Sequence, residues 1–235
     1  MAHHHLNCRL PEPRKVLQFR RELLRWFDEN DRKFPWRKSS TSNYLCIIAE
    51  ILLQRTRAET VAVFFPEFIR EFPSWKQLTS VSVESLQRYL QPIGLWRRRA
   101  ASLQALAREM ARKNGRFPKD REKIESLPGI GQYIANAVLL FCHGVPQPLL
   151  DVNMARVLER AFGQRKLADI RYDPYLQQLA VKVVQCKTPA KINWAILDLA
   201  ATTCLPRKPH CSNCPVAVLC QWKNQNAMTI NVPES

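Results

Sequence analysis

Glycine is scarce in this chain, six residues in 235, and runs of alternating apolar and polar residues are nearly absent. Half-buried strands are read from that alternation, so sheet architectures have little to rest on. Most segments instead repeat their apolar residues at helical spacing, which predicts an all-α fold. No stretch stays apolar for the roughly 20 residues that a membrane-spanning helix needs, so no membrane partner is expected. The opening MAHHHLNCRL has no apolar core of the kind a secretory signal carries, and the expected location is cytoplasmic. His3 to His5, a tag remnant or native residues, receive no role.

Positive charge is what the chain has in excess. Lys and Arg number 36 against 20 acids, a formal net charge of +16. Such an imbalance points to a polyanionic partner, of which nucleic acid is the commonest. Eight cysteines in an intracellular chain argue for a metal or reactive use rather than a disulfide framework. Cys8, Cys46, Cys142 and Cys186 are scattered. Cys204, Cys211, Cys214 and Cys220 crowd into CLPRKPHCSNCPVAVLC, a C-x6-C-x2-C-x5-C pattern. Four thiolates so close in sequence enclose either a zinc ion or an iron–sulfur cube. Zinc sites usually pair two C-x2-C knuckles, whereas this loop has one knuckle between wider gaps, which suits a [4Fe–4S] cluster better. Arg207, Lys208 and His210 lie inside the loop, where a basic turn meets phosphate.

Along the chain, Val16, Phe19, Leu23, Trp26 and Phe27 share one helix face. Asn43 is expected to cap a second helix and Ser82 to begin a later one. A long amphipathic helix from Trp96 to Lys113 ends at Asn114-Gly115, residues that tolerate a left-handed cap. Asp120 is expected to cap a short helix. Helices near 153–162, 174–185 and 189–201 follow a proline-rich crossing from Val145 to Leu150, which reads as a boundary between two lobes. Thr188 is expected to cap the last of these helices, with Pro189 suited to its first turn.

Leu127-Pro128-Gly129-Ile130-Gly131 separates two helices. Its glycines permit positive φ and close backbone approach, and the free N–H groups of the new helix suit a phosphate oxygen. This LPGIG turn, an aspartate eighteen residues past Tyr133, and the cysteine pattern occur together. The combination resembles the helix–hairpin–helix (HhH-GPD) DNA glycosylases of the endonuclease III and MutY superfamily, over about residues 15–222. The resemblance implies a six-helix barrel lobe holding the hairpin over residues 36–146. It implies a second lobe from 1–35 and 147–235, with a [4Fe–4S] cluster on the loop 204–220. The implied partner is duplex DNA with a mispaired or damaged base, which is flipped out and cut from its sugar. Gln54, Arg55 and Thr56 match the region that in this family enters the minor groove and fills the gap left by the flipped nucleotide. Leu127, Gly129, Gly131 and Gln132 would grip the backbone, and basic residues such as Arg97, Arg98, Arg99, Arg207 and Lys208 would hold phosphates.

Three positions carry the chemistry that the resemblance implies. Asp151 matches the family's catalytic aspartate, which stabilises the positive charge of an oxocarbenium-like transition state; the residue also suits a helix N-cap. Tyr133 stands where bifunctional members keep a lysine. A phenol forms no imine, so base removal without strand cleavage is expected, and tyrosine there is similar to the Mig-type thymine–DNA glycosylases. Glu50 matches the glutamate that protonates adenine in MutY-type enzymes, and a buried ion pair is its other reading. Trp194 aligns with a position facing the flipped base, or is core. The chain ends fifteen residues after Cys220, leaving no room for the further domain of MutY-type enzymes. The expectation is a monomeric, prokaryotic, nucleoid-associated glycosylase for thymine or uracil opposite guanine, with an AP endonuclease acting downstream. The alternatives are a MutY-like adenine glycosylase and a non-catalytic damage-binding scaffold.

Overall fold

The computed structural model describes residues 9–38 and 40–229; His3 to His5 and Cys8 lie outside them. The described residues form twelve α-helices and no strand. They belong to two compact units, one of Lys33–Val145 and one of Met1–Arg32 with Pro146–Ser235.

The unit Lys33–Val145 holds α2 (Asn43–Leu53), α3 (Ala58–Glu71), α4 (Trp75–Ser80), α5 (Val83–Leu90), α6 (Trp96–Arg112), α7 (Arg121–Glu125) and α8 (Gln132–His143). α2 packs on α8 and α3, α4 and α5 pack on α6, and α7 packs on α8. Ile48, Leu52, Phe68, Leu103 and Ile134 are among the fully enclosed side chains. The cap of α2 is Ser42 and not Asn43: the Ser42 hydroxyl accepts the Leu45 amide, and Asn43 is the first helical residue. Ser82 and Asp120 cap α5 and α7 as the spacing predicts, accepting from Ser85 and Lys123. α4, unforeseen in the sequence, is six residues long and buries Trp75 and Leu78. Asn114 and Gly115 both take left-handed backbone after α6, as Asn-Gly predicts.

The second unit holds α1 (Pro13–Asn30), α9 (Val152–Phe162), α10 (Pro174–Val184), α11 (Pro189–Thr202) and α12 (Gln221–Thr229). α1 and α9 both pack on α11, and α10 and α12 pack on α9. The core joins Phe19, Leu23, Leu158, Leu179 and Ile196. Pro189 opens α11, but Thr188 makes no side-chain cap bond.

The turn between α7 and α8 needs only one of its two glycines for backbone reasons. Gly129 has φ +74°, and a Cβ there would stand 2.8 Å from Ser102 Cβ on α6. Gly131, at φ −103°, is in ordinary extended backbone as the N-cap of α8, and a Cβ there would touch nothing. The positive-φ expectation therefore holds for Gly129 and fails for Gly131. Gly129→Ala combines a left-handed penalty of about 1–2 kcal/mol with that collision. We expect its melting temperature to fall by at least roughly 4 °C in a thermal melt. A shift within experimental error would mean that the hairpin is not pinned on α6.

Candidate active site

In the unit Lys33–Val145, α2 and α8 bring Glu50 and Tyr133 together. Glu50 lies on the apolar helix α2 and is only 4% exposed. Tyr133, in the first turn of α8, donates its hydroxyl to Glu50 Oε2 at 2.8 Å. A carboxylate so deeply enclosed requires donors, and the phenol supplies one. The surroundings are apolar enough to act on nearby thiols. Burial, with the Glu50 charge adding to it, pushes the Cys46 thiol up to about 11. Burial pushes Cys142 up to about 12, with Cys46 as the smaller cause.

At the C-terminus of α2 the chain turns sharply. Gln54 and Arg55 are exposed, and Arg55 has left-handed backbone at φ 57°. Thr56 donates to the Ile93 carbonyl at 3.2 Å. The expectation that Arg99 holds a phosphate is overturned. Its side chain is buried, and its guanidinium donates to the carbonyls of Ile93, Gly94 and Gln54 and to Thr56 Oγ1 at 2.8–3.1 Å. The register of α6 turns Arg99 inward, while Arg97 and Arg98 are exposed. Leu127 is buried, and Gln132 begins α8 half-buried.

In the other unit, Asp151 is the N-cap of α9. Its Oδ1 accepts the amides of Asn153 at 2.9 Å and Met154 at 2.8 Å, and its Oδ2 accepts the Asn153 side chain at 2.7 Å. The irregular segment leading to Asp151 is tied down by Asn193, a residue with no exposed surface on α11. The Asn193 amide accepts from Leu149 N at 2.7 Å and donates to the carbonyls of Gln147 and Pro189. Trp194, its neighbour, is half-buried and packs against the core of this unit.

The cysteine loop is held by two arginines one turn apart on α9. Arg156 donates to the carbonyls of Ala200 and Cys204 and to the side chain of Asn153. Arg160 donates to the carbonyls of Leu205 and Pro206 and lies 3.3 Å from Cys204 Sγ. Cys204, Cys211, Cys214 and Cys220 line one recess, together with Arg160 and Trp222. Among the described residues, no group of three or more His, Cys, Asp or Glu side chains is gathered tightly enough for a single metal ion. Arg207 and Lys208 are exposed on the loop. Sequence reasoning passed over Asn153, Arg156, Arg160 and Asn193. The i, i+4 arginines were the readable signal for the clamp, while nothing local marks Asn193 as a backbone tie.

The chain and its fold have parallels among known proteins. Residues 48–172, more than half of the chain, match the HhH-GPD superfamily base excision DNA repair proteins. The chain belongs to the HhH-GPD superfamily. A thymine-DNA glycosylase from Aeropyrum pernix is 36% identical over 90% of this chain and 97% of its own length. A thymine/uracil-DNA glycosylase from Pyrobaculum aerophilum is 36% identical over 88% of this chain and 92% of its own. Human adenine DNA glycosylase is 32% identical over 90% of this chain, which matches 40% of that protein. The solved structure of a thermostable thymine-DNA glycosylase superposes with a TM-score of 0.82 at 30% identity, covering 90% of this chain and 98% of that one.

Proposed function

We propose that this protein is a monofunctional DNA glycosylase that removes thymine or uracil mispaired with guanine and leaves an abasic site for an AP endonuclease. The observation that carries the reading is the hydrogen bond from Tyr133 to Glu50. At the start of the hairpin helix, where a lyase needs an amine nucleophile, the chain has a phenol already engaged with a carboxylate. That pair supports base release without strand cleavage. The thymine and thymine/uracil glycosylases from two archaea, matched over nearly their full lengths, support the choice of base.

Asp151 serves the sugar. Its cap bonds fix the carboxylate on rigid helical backbone, so its charge is in place as the glycosidic bond lengthens and positive charge builds on the ring. The Asn153 side chain on Oδ2 sets the second oxygen. Thymine and uracil leave as delocalised anions, so their departure needs no strong acid, and Glu50 with Tyr133 provides hydrogen bonding to the base. Mispairing lowers the cost of extruding it. Exposed Arg97, Arg98, Arg207 and Lys208 suit the phosphates, and Gln54, Arg55 and Gly131 lie on the turns that meet the backbone.

The four cysteines fit a [4Fe–4S] cluster. A single zinc needs four sulfurs within about 2.3 Å of one point, whereas a cube spreads its thiolates over four irons. That one recess is lined by all four thiols, with one C-x2-C knuckle between wider gaps, supports a shared group of this kind. Bound there, it would cross-link the loop 204–220.

Single-turnover cleavage of duplexes holding T·G, U·G, A·G and A·8-oxoguanine tests the reading. Cutting at T·G and U·G that depends on added alkali is expected; release of adenine instead would place the protein with the adenine glycosylases, and no cutting would favour a binding scaffold. Asp151→Asn should slow release by at least about a hundredfold. Its melting temperature should hold, because Asn caps a helix as well as Asp does. Tyr133→Lys should gain borohydride trapping on the DNA; no trapped adduct would mean that residue 133 does not reach the sugar. Purified protein should carry iron and acid-labile sulfide in equal amounts, and Cys211→Ser should lower both; bound zinc would overturn the cluster assignment.

A further inference from the structure

Besides Asn114 after α6, two residues other than glycine in the unit Lys33–Val145 have left-handed backbone, each in a sharp turn. One is Arg55, after α2, at φ 57°; the other is Leu95, before α6, at φ 52°. Side chains rarely adopt such backbone, and it persists where surrounding contacts over-determine it. Both turns also expose what they carry: Gln54 and Arg55 are open to solvent, and Leu95 is 50% exposed.

One buried side chain joins them. Arg99 is 6% exposed and points its guanidinium between the turns. Nη2 donates to the Gln54 carbonyl at 2.8 Å and to Thr56 Oγ1 at 3.1 Å, one residue on either side of Arg55. Nη1 donates to the Ile93 and Gly94 carbonyls at 3.1 and 2.9 Å, immediately before Leu95. Thr56 closes the set by donating to Ile93. The planar fork of arginine spans four acceptors in fixed directions, which a lysine ammonium does not reproduce.

We propose that Arg99 is a positioning residue for base extrusion: its guanidinium locks the Gln54–Thr56 turn to the Ile93–Gly94 turn, so that Gln54 and Arg55 are held ready to fill the gap left by a displaced base. The inference rests on the reading of this chain as a base-flipping glycosylase. It assigns to Arg99 a task distinct from phosphate binding. Loss of the fork lets both strained turns relax, the exposed side chains lose their aim, and the base returns to the stack more often. Misplacement of this kind, remote from the reacting bond, costs up to about a hundredfold in rate.

The test uses the full chain in an Asp151→Asn background, where the base stays on the DNA. The probe is a duplex with a T·G mispair and 2-aminopurine beside the thymine, whose fluorescence rises on unstacking. The parent should give a rise on binding. Arg99→Met and Arg99→Lys should bind undamaged duplex with unchanged affinity and salt dependence, yet lose most of that rise. With Asp151 restored, both should release thymine about ten- to a hundredfold more slowly. A salt slope reduced by about 0.9 would make Arg99 a phosphate ligand and overturn the proposal. So would a full fluorescence rise alongside slowed release. Thr56→Val removes only the hydroxyl arm and should move the same readouts the same way by a smaller factor. Should the Arg99 variants not fold, an unchanged rise in Thr56→Val overturns the proposal. A parent that gives no rise on any mispair would count against the glycosylase reading itself.

Discussion

Asn193 fixes the backbone on which Asp151 stands. The segment from Gln147 to Leu150 is outside any helix, yet Leu149 and Leu150 are buried. Irregular buried backbone leaves amides and carbonyls without regular partners, at about 1–3 kcal/mol for each unmade bond. A single enclosed amide answers this, accepting from Leu149 and donating to Gln147 and Pro189. The same bonds fix the point at which α9 begins. Asp151 then spends one oxygen on two amides of the new helix, which sets the carboxylate's orientation before any DNA is bound. Cap and candidate catalyst are thus one geometry.

The excess of arginine serves the fold as well as the partner. Arg156 and Arg160 hold the cysteine loop, Arg99 holds two turns, and Arg165 grips the enclosed Glu159 through both carboxylate oxygens. Arg20 donates to the last carbonyls of α10 at Val183 and Lys182. Apart from the Glu159 carboxylate, these sites are loops or helix ends with carbonyls that the regular ladder leaves open, and five fixed donors on one planar group suit that need. A formal charge of +16 therefore overstates the footprint available to phosphate, which falls instead to exposed side chains such as Arg97, Arg98, Arg207 and Lys208.

Much of this was legible in the sequence, and for local reasons. The long helices announce themselves by spacing, and Ser82, Asp120 and Asp151 sit one residue before helices that they do cap. The family was readable because its marks, a glycine turn and spaced cysteines, are short and contiguous. What escaped depends on register or on distant backbone. Two adjacent cap formers, Ser42 and Asn43, differ only in which one the helix starts after. Arg97, Arg98 and Arg99 are alike in sequence, and only the rotation of α6 sends the third inside. α4 is too short to display a period. Asn193 finds two of its three partners more than forty residues away in the chain, where no pattern points.

Cys46, one turn from Glu50 on α2, and Cys142 on α8 bear on durability. Alkylating agents and peroxides attack the thiolate form of cysteine. With Cys46 held at about 11 and Cys142 at about 12, almost none of that form exists at neutral pH. The burial that raises these two thiols thereby lowers their reactivity. A protein that works on injured DNA meets the same electrophiles and oxidants that injure it, and at these two positions the packing itself disfavours the reactive form.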